Sequence, residues 1–197
     1  MTEHAGVDTV RLLRRGRALE IVTLGWNVLG IVVLAIAAIQ ARSVALAGFG
    51  LDSLIEIGAS AVVLWELADI EQGRQRRAIR LIGGAFLALA AYLVVQSSVV
   101  LATGVHAHHS RLGIVWTSLT AAVMFGLAAG KARTGTALDN PVLRSEGRVT
   151  AVDGILALAV LVGLLLNSAL GWWWADPAAG LVLVYYAARE AREAFSH

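Results

Sequence analysis

Three acidic side chains stand where acids are expensive. Asp52 and Glu56 lie four residues apart inside an apolar run near 44 to 68, and Asp153 lies inside another near 145 to 169. Residues four apart share one face of a helix, so Asp52 and Glu56 can address the same volume. They sit eight and twelve residues into their run, roughly 12 to 18 Å along a helix rising 1.5 Å per residue, which is membrane depth if the run crosses a bilayer. Asp153 follows Pro141 by twelve residues and reaches a similar depth if that proline opens the helix. An acid near the middle of a spanning helix costs about 2.5 to 3.5 kcal/mol on insertion scales. On this reading every Lys and Arg belongs to a loop or to the end of a run, so no basic partner offsets that cost. The alternatives are carboxyls that stay protonated, a water-filled cavity, or a bound cation. A cation site is the expectation, because clustered carboxylates exchange protons for a metal ion. There are no cysteines, so a metal would be held by oxygen or nitrogen.

The elements that must position these acids are helices in a membrane. Of the 197 residues, 58% are hydrophobic and only 15% charged, which departs from the balance of a water-soluble domain. A spanning helix needs roughly 20 mostly apolar residues. Such runs occur near 18 to 40, 44 to 68, 79 to 103, 112 to 131, 145 to 169 and 174 to 190. The fold expected is all-α: a polytopic protein of six transmembrane helices, with a tail over 1–17, a membrane domain over 18–190 and a short tail over 191–197. Asp176-Pro177 reads as N-cap and first helical residue of the sixth span, and Trp172, Trp173 and Trp174 before it suit the headgroup layer. Six spans put both termini on one side. If that side is the cytoplasm, fourteen of the sixteen basic residues face it, Lys131 among them, and only Arg42 and Arg111 do not. This bias over short loops predicts cytoplasmic termini and a multi-pass plasma-membrane protein. The first run is longer than a signal-peptide core and carries Asn27, so cleavage is not expected. Neither is a soluble domain after the last span.

The second-span stretch Ser43-Val-Ala-Leu-Ala-Gly-Phe-Gly-Leu-Asp52-Ser53-Leu-Ile-Glu56-Ile-Gly-Ala-Ser60 resembles that of the cation diffusion facilitators, six-span antiporters of divalent metal and protons. Asp153-Gly-Ile-Leu-Ala and Ala175-Asp176-Pro177-Ala-Ala-Gly180 are also similar, and the likeness extends over all six spans. The resemblance implies a transport site of two residues four apart on the second span and two on the fifth: Asp52 and Glu56, then position 149 and Asp153. Position 149 is Val149, which cannot ligate, and Glu56 stands where Asp is commoner. The family's usual C-terminal metal-binding domain, which often supports dimerisation, has no counterpart in the sequence. An all-oxygen set suits Mn²⁺ or Fe²⁺ chemically, while the family's commonest substrate makes Zn²⁺ the favoured ion.

Secondary candidates surround these residues. Thr150, one turn from Asp153, offers a hydroxyl. Glu146 shares Asp153's side of the helix but lies about 10 Å away along the axis, so it reads as a residue at the cytoplasmic mouth or an ordinary helix-end acid. Asn27 is polar at membrane depth, with Glu20 and Thr23 on its side of the first run. His106, His108 and His109 fall in the loop between spans three and four, where they are weak candidates for an exit-side metal patch. Gln96, Ser97 and Ser98 are expected to bond neighbouring helices. Gly84 and Ala88 form a small-xxx-small pair that would allow a homodimer through the third span. The basic segment Arg74-Gln-Arg-Arg77 with Arg80 is accounted for by topology and anionic lipid, so nucleic acid is not an expected partner. No phosphate loop, HExxH pair or Ser/His/Asp set supports enzyme chemistry. The function expected is divalent-cation export in exchange for protons, the alternative being a membrane metal sensor or scaffold without transport.

Overall fold

The computed structural model of the protein describes the backbone of residues 2–67 and 72–196, and the side chains of 10–58, 80–140, 143–144 and 146–195. Among these residues the chain is all-helical, with six helices: α1 Thr2–Ala41, α2 Val44–Leu67, α3 Gln72–Thr103, α4 Arg111–Ala137, α5 Pro141–Leu170 and α6 Ala175–Ser196. Four of the expected runs fall within one helix each; the run from 44 to 68 matches α2 up to Leu67, residue 68 lying outside the described residues, and the run from 174 to 190 matches α6 from Ala175. Four, over Val10–Ala41, Arg80–Thr103, Arg111–Ala137 and Glu146–Leu170, are long and apolar enough to cross a membrane. In α6 the charged residues Asp176 and Arg189 bracket a short uncharged run. The side chains of Ser60 and of the Arg74–Arg77 segment lie outside the described residues.

The helix ends follow from local chemistry. Ser110 caps α4 by accepting from the Gly113 amide at 3.0 Å. Asn140 does the same for α5 through the Leu143 amide at 3.1 Å, with Pro141 at the first helical position as its sequence requires. Between α4 and α5, Asp139 takes the left-handed backbone conformation that a short side chain tolerates.

The α6 start differs in detail from the expected Asp-Pro cap. The helix begins at Ala175, and the Asp176 carboxylate caps another helix instead. It accepts from the Ser43 hydroxyl at 2.5 Å and from the Val44 amide at 2.9 Å, at the beginning of α2. Ser43 in turn accepts from the Leu46 amide at 3.0 Å. Asp176 is 1% exposed, so these bonds replace water that it has lost. Asp176→Ala is expected to destabilise the protein by about 1 to 3 kcal/mol, because it leaves buried donors unpaired. Thermal unfolding in detergent checks this, and Asp176→Asn, which cannot accept from both donors equally well, should fall in between.

The packing pairs α4 with α5 and α3 with α6. α1 lies against α2 and α4, and α2 meets α5 only narrowly. Leu34, Leu46, Leu93, Val160, Leu164 and Leu183 join five of the helices in one core. Trp26 of α1 stacks on Trp116 of α4 at 4.9 Å and donates its indole N–H to Thr120 at 3.1 Å. α4 and α5 approach backbone to backbone at Gly147, where an added Cβ would lie 3.1 Å from the Ala132 nitrogen and 3.2 Å from the Ala128 oxygen. That closeness sets Lys131 of α4 opposite Thr150 of α5.

One end of the bundle is laced shut. The His108 amide donates to the Ala41 carbonyl at 2.7 Å, Asn167 donates to the Ala107 carbonyl at 3.0 Å, and Ser97 donates to the Pro177 carbonyl at 3.3 Å. The α1–α2, α3–α4 and α5–α6 connections therefore share this end. The α4–α5 turn and the start of α1 belong to the other.

Candidate metal centre

α2 and α5 bring the three sequence-marked acids together. Ligand oxygens of Asp52, Glu56 and Asp153 all lie within 4.8 Å of one another. Asp52 and Asp153 are buried and Glu56 is half-buried. Among the described residues, none of the three carboxyls is paired with a basic side chain within salt-bridge distance. Oxygens around one small divalent ion lie roughly 3 to 4.2 Å apart for bonds of about 2.1 Å, so modest side-chain rotation would close the trio on an ion. Among the described residues no other group of three acidic or histidine side chains meets this condition.

The other candidates divide around this trio. Thr150 is buried, but its hydroxyl donates to the Glu146 carbonyl at 2.9 Å and accepts from the Lys131 ammonium at 3.1 Å, so its lone pairs are partly committed elsewhere. Glu146 is exposed and within electrostatic range of Asp153, which fits a residue at the mouth and an ordinary helix-end acid alike. Asn27 lies half-buried on α1 beside the stacked Trp26. Thr23 donates to its own helix, at the Leu19 carbonyl. Val149 is 48% exposed, one turn from Asp153, and leaves the α5 side with a single carboxylate. The three histidines are not gathered: His106, His108 and His109 are exposed, and the His106 ring stacks on Trp173 at 5.3 Å.

One premise of the sequence reading is overturned. Lys131, read as the end of the fourth run, lies six residues before the end of α4, where it is 1% exposed and its ammonium pairs with Glu20 of α1 at 2.9 Å. Its distance from the end of α4 and the neighbouring Arg133 and Thr134 made the segment look polar, whereas Gly135 and Gly147 allow α5 to cover it. A basic group thus does stand near Asp153. Its direct partners are nevertheless Glu20 and Thr150, so Lys131 makes no hydrogen bond to the trio itself. A second acid, Glu190, stands at the end of the sixth run. It is half-buried on α6 and lies within electrostatic range of both Asp52 and Glu56. Both residues are non-local contributors, and only their polarity within or beside an apolar run could have marked them.

Comparison of the chain with protein-family models and with curated proteins gives no match.

Proposed function

We propose that the protein carries a divalent metal cation across a membrane in exchange for protons, using Asp52, Glu56 and Asp153 as the ion-binding groups. The observation that supports this most is the convergence of three acids from two helices within 4.8 Å, at a place where burial makes uncompensated negative charge costly. A divalent ion offsets that charge, and protons offset it when the ion leaves. Two loads that neutralise the same carboxylates and exclude each other are the chemical requirement for antiport.

On this reading all six helices span the membrane, including α2 and α6, and the termini are cytoplasmic. Removing Lys131 from the loop charges leaves thirteen basic residues on the terminal side against Arg42 and Arg111, so the orientation does not depend on it. Export through the plasma membrane follows, with membership of the cation diffusion facilitator family as part of the same proposal. Zn²⁺ is the favoured ion, and the oxygen-only donor set is also suited to Mn²⁺ and Fe²⁺. Gly84, with open space beside it, and the exposed Ala88 leave room on α3 for a second copy. The three-donor site favours one other reading, a metal sensor or scaffold that binds without flux.

Proteoliposomes holding a metal-sensitive dye under an imposed pH gradient separate these. Metal uptake that grows with the gradient is expected. Binding without uptake would replace transport by the sensor reading, and absence of binding would leave structural, protonated acids. Binding isotherms should tighten as pH rises from about 6 to 8, because the carboxylates must lose protons to ligate, and each bound ion should release protons. A flat profile would contradict the exchange.

A further inference from the structure

The mechanism proposed above uses the three acids and leaves a fully buried charge, the Lys131 ammonium, without a part. A lysine taken out of water without compensation is strongly destabilising, and an apolar side chain of the same size would serve packing at least as well. Here the ammonium spends one hydrogen bond on Glu20 of α1 and one on Thr150 of α5. Thr150 lies three residues, about 4.5 Å along the helix, from Asp153. The other Glu20 oxygen is buried without a hydrogen-bond partner, and so is the Thr134 hydroxyl one turn along α4 from Lys131. The pair is therefore not the well-satisfied bridge expected of a purely structural staple. It is a charge held beside the cation site, and its field is little screened in an apolar interior.

We propose that Lys131 is a positioning residue that limits the affinity of the carboxylate trio for divalent cations, with Glu20 setting how much of its charge the trio feels. This rests on the trio being the cation site. With Glu20 ionised, the pair is nearly neutral at a distance and the trio binds. When Glu20 is neutralised, the ammonium one turn from Asp153 loses its bonded counter-charge, with only the exposed Glu146 and the trio itself left in range, and it opposes the ion. Control of this kind suits a carrier, which must release what it binds. It predicts effects of opposite sign from the two members of one ion pair, whereas loss of a staple would move both the same way.

The test is equilibrium binding of Mn²⁺ and Zn²⁺ to the purified full chain, with unfolding temperatures measured alongside. Lys131→Met, which leaves Glu20 charged, should tighten binding by about tenfold or more, and Glu20→Gln should weaken it by a similar factor. The Glu20→Gln/Lys131→Met pair should return to within about threefold of the parent, and Lys131→Arg should keep its affinity. Parallel weakening of both single variants together with their stability, or no change in either, overturns the proposal. A metal-free readout separates it from the reading it rests on. The chain has no cysteine, so Asp153→Cys supplies a single thiol whose maleimide reactivity reports the local field, since a nearby positive charge favours the reactive thiolate. Adding Lys131→Met should slow labelling and adding Glu20→Gln should speed it, each by about threefold or more. If those rates shift while the parent protein binds no metal, the metal reading fails and the field of Lys131 stands. If metal binds and the rates do not move, the reverse holds.

Discussion

Replacing Asp52 and Asp153 together by alanine is expected to reduce metal flux to that of protein-free liposomes and to weaken divalent-cation binding by about a hundredfold or more. On the proposed reading the two acids contribute one ligand oxygen each from α2 and α5, so the double variant removes the bridge between helices and leaves Glu56 alone, and one carboxylate does not hold a divalent ion against water. The variant should also fold. Taking acids out of an apolar interior removes a cost of about 2.5 to 3.5 kcal/mol apiece on insertion scales, so the unfolding temperature should stay level or rise. Loss of flux with retained or improved stability assigns the effect to the site. Flux that survives in the double variant would show that the ion uses another path, and the three acids would then be structural.

The second large effect concerns the position that departs from the resemblance. Val149→His places an imidazole one turn from Asp153, on the side where Val149 is 48% exposed and therefore has room to be replaced. A fourth donor of nitrogen type should complete a tetrahedral set and tighten Zn²⁺ binding by about tenfold or more, with a much smaller change for Mn²⁺. Competition isotherms with the two ions on one preparation measure the ratio. An unchanged ratio would mean that residue 149 does not reach the ion, and that the site is complete with three acids and water. Flux need not rise with affinity, since a tighter site also releases more slowly.

These two predictions rest on different kinds of information. Asp52 and Glu56 were legible because their spacing is local and the helix period alone puts them on one face. Asp153 was legible as an acid at depth, and the structure adds that α5 turns it toward α2. The helix start at Pro141 could be read from the proline itself, because its fixed backbone suits the first helical position. Lys131 was not legible. Its partners Glu20 and Thr150 are distant in sequence, and its burial depends on two glycines that let α4 and α5 touch. Asp176 was read as a cap for its own helix because that is the local solution; Ser43, remote in sequence, supplied a better one. The histidines are close in sequence, and the loop that carries them spends its backbone on lacing the bundle end and turns one ring onto Trp173.

The Asp176 cross-link has a mechanical consequence. It pins the first turn of α2 to the first turn of α6 at the laced end, while Asp52 and Glu56 lie farther along α2, where that helix meets α5 only narrowly. A lever fixed at one end swings at the other. Any tilt of α2 against α5 would therefore leave the pinned end almost still and part the two helices most at the end holding the α4–α5 turn, with the carboxylate trio partway along the arm.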